Sequence, residues 1–140
     1  DDTDPYTAPV IDEPIEVKAK KIKKAYEYSS PFSYGCTNFN RSISIPNSVI
    51  NMLGTFGNCS KFNQSITIPN SVEDINFIFA ECSNFNTTVN IPKSVLTVKG
   101  AFRNCINLSA RINIFSTEIT NVSNMFENTS KAKSVYFYYK

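Results

Sequence analysis

The chain has 140 residues, 41% of them hydrophobic, a formal net charge of +2, and neither His nor Trp. That hydrophobic share excludes disorder throughout, the small net charge excludes the strongly basic stripe of a nucleic-acid binder, and the missing imidazole excludes the usual catalytic triads. No apolar run is long enough to span a bilayer. The chain opens on Asp1 rather than Met, as a processed protein or a fragment would, so the absence of a secretory signal carries no information about destination.

Residues 1–14 (DDTDPYTAPVIDEP) are acidic, contain three prolines and read as an extended lead-in. The next stretch, IEVKAKKIKKAYEY, is ambiguous: Ile15, Ala19, Ile22 and Tyr26 fall at helical spacing, while Ile15, Val17 and Ala19 alternate as in a strand. Its lysines between 18 and 24 read as a solvated face. Residues 1–30 carry seven acids and five lysines, a net of −2, against +4 for residues 31–140. The expected division is therefore an extended arm or linker over 1–30 and a folded unit over 31–140.

From Cys36 onward the chain repeats. Cys36, Cys59, Cys82 and Cys105 stand 23 residues apart, and Phe39, Phe62, Phe85 and Leu108 follow three behind each. An alternating apolar pair comes next: Ile43/Ile45, Ile66/Ile68, Val89/Ile91 and Ile112/Ile114. Pro46, Pro69 and Pro92 end the first three of these runs. Val49, Val72 and Val95 follow, then Met52, Ile75 and Val98, then Phe56, Phe79 and Phe102. In the fourth unit Phe115 replaces the proline, and one extra residue shifts Ile119, Val122 and Phe126. Thr129 stands where the next Cys would fall. Such departures are expected near the end of a repeat array.

Each unit has a physical reading. The alternating pair is a short strand with one face buried, stopped by a Pro that cannot donate to a ladder. Asn-Ser after the Pro is a turn, and the spacing of Val72, Ile75 and Phe79 predicts a helical or 3₁₀ return. A second short strand on the return is the alternative. One such coil leaves its core face open, so the units must stack, strand on strand, into a repeat solenoid of mostly β character. The tail SVYFYYK, with Val135, Phe137 and Tyr139 alternating against Tyr136 and Tyr138, predicts one more strand that closes the array or meets another subunit.

The stretches FNQSITIPNSV, IFAECSNF and above all VKGAFRNCINL (residues 98–108) resemble the BspA-type bacterial leucine-rich repeat. ITNVSNMFENTS and the FNQ of Phe62–Gln64 are also similar to a related repeat of bacterial surface lipoproteins. The resemblance covers roughly residues 36–130. It implies a right-handed leucine-rich-repeat solenoid on a bacterial or protist surface or in a phage structural protein, with adhesion or recognition roles. It supplies no catalytic residues.

The four Cys lack both a CxxC spacing and a His partner, which argues against a metal site, and stacked residues point their Cβ vectors in parallel, which argues against disulfides. They read as a buried structural column. Asn40, Asn63 and Asn86 begin N-x-S/T sequons, but a ladder of side-chain amides satisfying backbone groups is the preferred reading. No cofactor and no enzymatic activity are expected: beyond residue 30 the acids Glu73, Asp74, Glu81, Glu118 and Glu127 share no repeat position. The candidate binding surface is the outward strand face, represented by Ser44, Thr67, Asn90, Arg111 and Asn113. It is small and polar, with Arg111 as its one anchor-type side chain, and suits weak multivalent contact with protein or glycan. Two roles compete. One is an extracellular adhesion or receptor-recognition module of a bacterial surface or phage tail. The other is a virion decoration or fibre component held by its N-terminal arm, with oligomers formed through the arm or the Tyr-rich strand.

Overall fold

The computed structural model describes residues 36–138. The arm at 1–30, residues 31–35, Tyr139 and Lys140 lie outside the described residues, and the expectations placed on them with it.

Three short strands form one parallel sheet in the order β1 (Val89–Ile91), β2 (Ile112–Ile114), β3 (Val135–Phe137). The register is that of the repeat: Val89 faces Ile112, which faces Val135, and Ile91 faces Ile114, which faces Phe137. Val89, Ile91, Ile112 and Ile114 point inward and are buried, as the alternation predicts. The tail thus does supply one more strand.

The equivalent segments at 43–45 and 66–68 do not form strands, and the proline column explains why. The Phe115 N–H donates to Ile91 O at 2.9 Å and the Tyr138 N–H donates to Ile114 O at 3.0 Å, closing the ladder on either side of β2. The matching residues one and two units earlier are Pro92 and Pro69, which have no N–H to give. The ladder therefore extends only where an aromatic residue has replaced proline.

The predicted helical or 3₁₀ return is corrected: the described residues contain no helix, and the returns are runs of tight turns. Donor direction is the reason. In the second unit the N–H groups of Ile78, Ala80 and Cys82 bond to the carbonyls three residues back, at 3.1–3.2 Å. Those of Ile75, Phe77, Phe79 and Glu81 donate instead to Thr97, Lys99, Ala101 and Arg103 of the next unit, at 2.8–3.2 Å. A helix would spend all of these donors within itself and leave the neighbouring unit unbonded. Single parallel bridges at Asn51–Asp74–Thr97–Asn121 are what the alternative of a second strand amounts to.

Such turning requires left-handed residues at two positions per unit. One column is Gly54, Phe77, Gly100 and Asn124, and the other is Asn58, Glu81, Asn104 and Asn128, all with φ between 54° and 65°. Gly and Asn tolerate this region best. At Gly100 there is a second constraint, because a Cβ would sit 2.4 Å from the Phe77 ring. Phe77 can keep its ring there only because its neighbour has no side chain.

The core is a set of columns. Phe56, Phe62, Phe79, Phe85 and Phe102 are fully buried, and their rings interleave into one stack. Neighbouring centroids lie 4.5 Å (Phe56–Phe62), 6.4 Å (Phe62–Phe79), 4.2 Å (Phe79–Phe85) and 5.7 Å (Phe79–Phe102) apart, with interplanar angles from 2° to 19°. Phe39 begins the stack and Phe126 ends it.

Candidate functional site

Cys36, Cys59, Cys82 and Cys105 are buried thiols. Their regular spacing has a hydrogen-bonding cause that sequence reasoning missed. The Cys82 thiol donates to Phe56 O at 2.9 Å and the Cys105 thiol to Phe79 O at 3.0 Å, each reaching back to the preceding unit. Thr129 makes the same bond with its hydroxyl, to Phe102 O at 2.6 Å. Thr129 is thus a working substitute for the thiol, not a lapse of the pattern. Burial pushes the Cys82 thiol well up and pushes Cys105 up to about 12, which favours the protonated thiol at both positions.

The Asn ladder forms as expected. Asn40 Oδ1 accepts the Asn63 N–H at 2.9 Å, Asn63 Oδ1 accepts the Asn86 N–H at 2.8 Å, and Asn86 Oδ1 accepts from both Ser109 and Ala110 at 2.8 Å. These amides bind one coil to the next. A serine column does the same on the other side, with Ser71, Ser94 and Ser116 donating to Val49, Val72 and Val95 O at 2.6–2.7 Å.

On the outward strand face, Ser44, Thr67, Asn90 and Asn113 occupy one column, and the β2–β3 register extends it to Tyr136. The structure gathers the far end of this column into a cluster. Asn113 Nδ2 donates to Asn90 Oδ1 at 2.9 Å, and Arg111 Nε donates to Asn113 Oδ1 at 2.7 Å. The Arg111 guanidinium lies 3.8 Å over the Tyr136 ring, and its Nη2 donates to the Tyr138 hydroxyl at 2.7 Å. That hydroxyl in turn donates to Asn113 Oδ1 at 3.0 Å. Ser44 and Thr67 lie further along the same exposed column, outside the cluster. Arg111 is therefore not a solitary anchor: two tyrosines join it. The signal was available, since Tyr136 follows Asn113 by one repeat length.

A second feature adjoins this cluster. Pro92, Phe115 and Tyr138 are successive members of the proline column. Phe115 and Tyr138 stack with centroids 4.7 Å apart, and a cleft of about 290 Å³ opens beside them, lined by Lys93, Phe115, Thr117, Glu118 and Tyr138. The extra length of the fourth unit builds it. Ser94 runs straight into Val95, whereas Thr117 and Glu118 intervene between Ser116 and Ile119. Ser116 still makes its column bond but follows Phe115 directly, with no counterpart of Lys93, so the net gain of one residue falls after it as Thr117 and Glu118, both exposed. No group of three or more His, Cys, Asp or Glu that could hold a metal occurs among the described residues.

The chain is internally repeated, with a pattern that recurs every 23 residues and units that bond to one another in parallel register. It belongs to the family described as Mycoplasma protein of unknown function, DUF285, which matches residues 15–91 and again 68–136. Two overlapping matches are what an internally repeated chain gives, because one family pattern fits it in more than one register. No curated protein and no solved structure matches the chain.

Proposed function

We propose that this chain is a noncatalytic binding module of a cell-surface protein, built as a leucine-rich-repeat-like solenoid of the BspA type and used in adhesion or in recognition of a protein or glycan. The family is associated with BspA-like repeat surface proteins, which supports the finer kinship. Its description as Mycoplasma proteins favours a cellular over a virion setting. The observation that carries the reading is the cluster of Arg111, Asn113, Asn90, Tyr136 and Tyr138 on an otherwise small-residue face. Arg and Tyr are the side chains that dominate interface energetics, and here each is held in place before any partner arrives.

The test is retention of the purified chain on intact host cells and on immobilised surface proteins and glycans, with Arg111→Ala and Tyr136→Ala beside Thr67→Ala. Loss in the first two with retention in the third is the expected result. Equal binding by all three variants would remove the cluster from the binding surface.

A further inference from the structure

We infer that the cleft beside Tyr138 is a monosaccharide subsite that takes one uncharged pyranose ring, an inference that rests on the binding-module reading and deepens it. Three observations converge on it. First, Tyr138 is a fixed aromatic wall that remains 38% exposed. Its ring stacks on Phe115, its N–H donates to Ile114 O at 3.0 Å, and its hydroxyl is held between Arg111 at 2.7 Å and Asn113 at 3.0 Å. An aromatic face that loses no rotamer freedom on binding offers the C–H face of a sugar a pre-organised platform.

Second, the rim has the polar groups that vicinal hydroxyls need and little net charge. The Glu118 carboxylate accepts, the Lys93 ammonium donates, and the Thr117 hydroxyl does either. Among the lining side chains one cation is balanced by one anion. The Arg111 guanidinium behind the Tyr138 hydroxyl is outside the lining and engaged with Tyr138 and Asn113, which disfavours a phosphate or a carboxylated ligand. The volume, about 290 Å³, lies at the small end of ligand clefts and suits a single ring.

Third, the cleft lies where the repeat is broken. The three earlier units carry Pro in this column and run straight from the column serine into the next valine (Ser48-Val49, Ser71-Val72, Ser94-Val95), so none of them presents an aromatic wall with a charged rim. Phe115, Tyr138, Thr117 and Glu118 are four departures from the pattern, and all four line one cleft.

The test is a titration of the whole chain with methyl α- and β-pyranosides, followed by ¹H–¹⁵N NMR. Millimolar saturable binding is expected, with shifts confined to residues around Lys93, Thr117, Glu118 and Tyr138. Glu118→Gln keeps size and shape and should weaken binding about tenfold. Tyr138→Ala should abolish it, with an unchanged melting temperature as the check that the fold persists. Unsaturable or scattered shifts, or full affinity in Glu118→Gln, would overturn the subsite. If pyranosides fail while the chain still binds a protein surface through Arg111, the sugar inference falls and the binding-module reading stands.

Discussion

At the scale of single residues, the thiol column shows how a small hydrophobe can be fixed by one hydrogen bond. Phe79 O accepts both the Cys82 N–H at 3.1 Å and the Cys105 thiol at 3.0 Å, so the side chain ties one unit's corner to the unit before it. Thr and Val have nearly the same shape and differ in the donor. Cys105→Thr should therefore retain about 0.5–1.5 kcal/mol more stability than Cys105→Val, read from denaturant midpoints. Equal losses would mean that the column is kept for volume alone. The same burial sets a pH dependence. Burial holds Cys105 up at about 12 against an ordinary 9.0, so the fold retains a proton that the unfolded chain has released. Its contribution is complete below pH 9.0 and is lost as pH rises from there through about 12. Midpoints measured across that range should fall less steeply in Cys105→Thr than in the parent chain.

At the scale of the elements, the ring stack and the donor alternation of the returns do different work. Phe79 is fully buried and touches four other rings, with centroids from 4.2 to 6.4 Å. Truncating it leaves a void that two flanking units cannot close, because their backbones are pinned by the bonds at Phe56, Phe79 and Phe102. Phe79→Ala should cost about 3–5 kcal/mol, whereas Thr67→Ala on the exposed column should cost under about 0.5. Equal losses in denaturant melts would dissolve the column assignment. The strands contribute less than their place in the sequence pattern suggests, since proline limits the sheet to three of them.

At the scale of the whole molecule, the two ends of the stack are not equivalent. The first three returns donate their alternate N–H groups forward, so Val98, Gly100, Phe102 and Asn104 are bonded to the fourth return at 2.8–3.0 Å. The counterparts in that last return are Val122, Asn124, Phe126 and Asn128, whose N–H groups have no partner among the described residues. Val122 is 60% exposed there, and Phe137 on the outermost strand is 56% exposed. Amide hydrogen exchange should therefore be fast at 122, 124, 126 and 128 and slow at 98, 100, 102 and 104, though both sets belong to the same repeat positions. Matching protection in the two sets would show that the last return is covered in solution.

The 23-residue spacing, the inward columns, the Asn ladder and the closing strand were legible in the sequence because stacking maps repeat positions directly onto contacts. A residue 23 places on is the residue next door. Three things were not legible. The 3-and-4 apolar spacing suits a helix and a chain of turns equally, and only the demand of the neighbouring unit for donors chose the turns. The reach of the sheet depended on which residue of one unit gives its N–H to the unit before, a direction that periodicity leaves open. Arg111 was marked as an isolated anchor because its partners belong to a strand 25 residues further on. The parallel register brought Tyr136 and Tyr138 beside it, and the same register turned Phe115, Thr117 and Glu118 from irregularities of the fourth unit into the walls of one cleft.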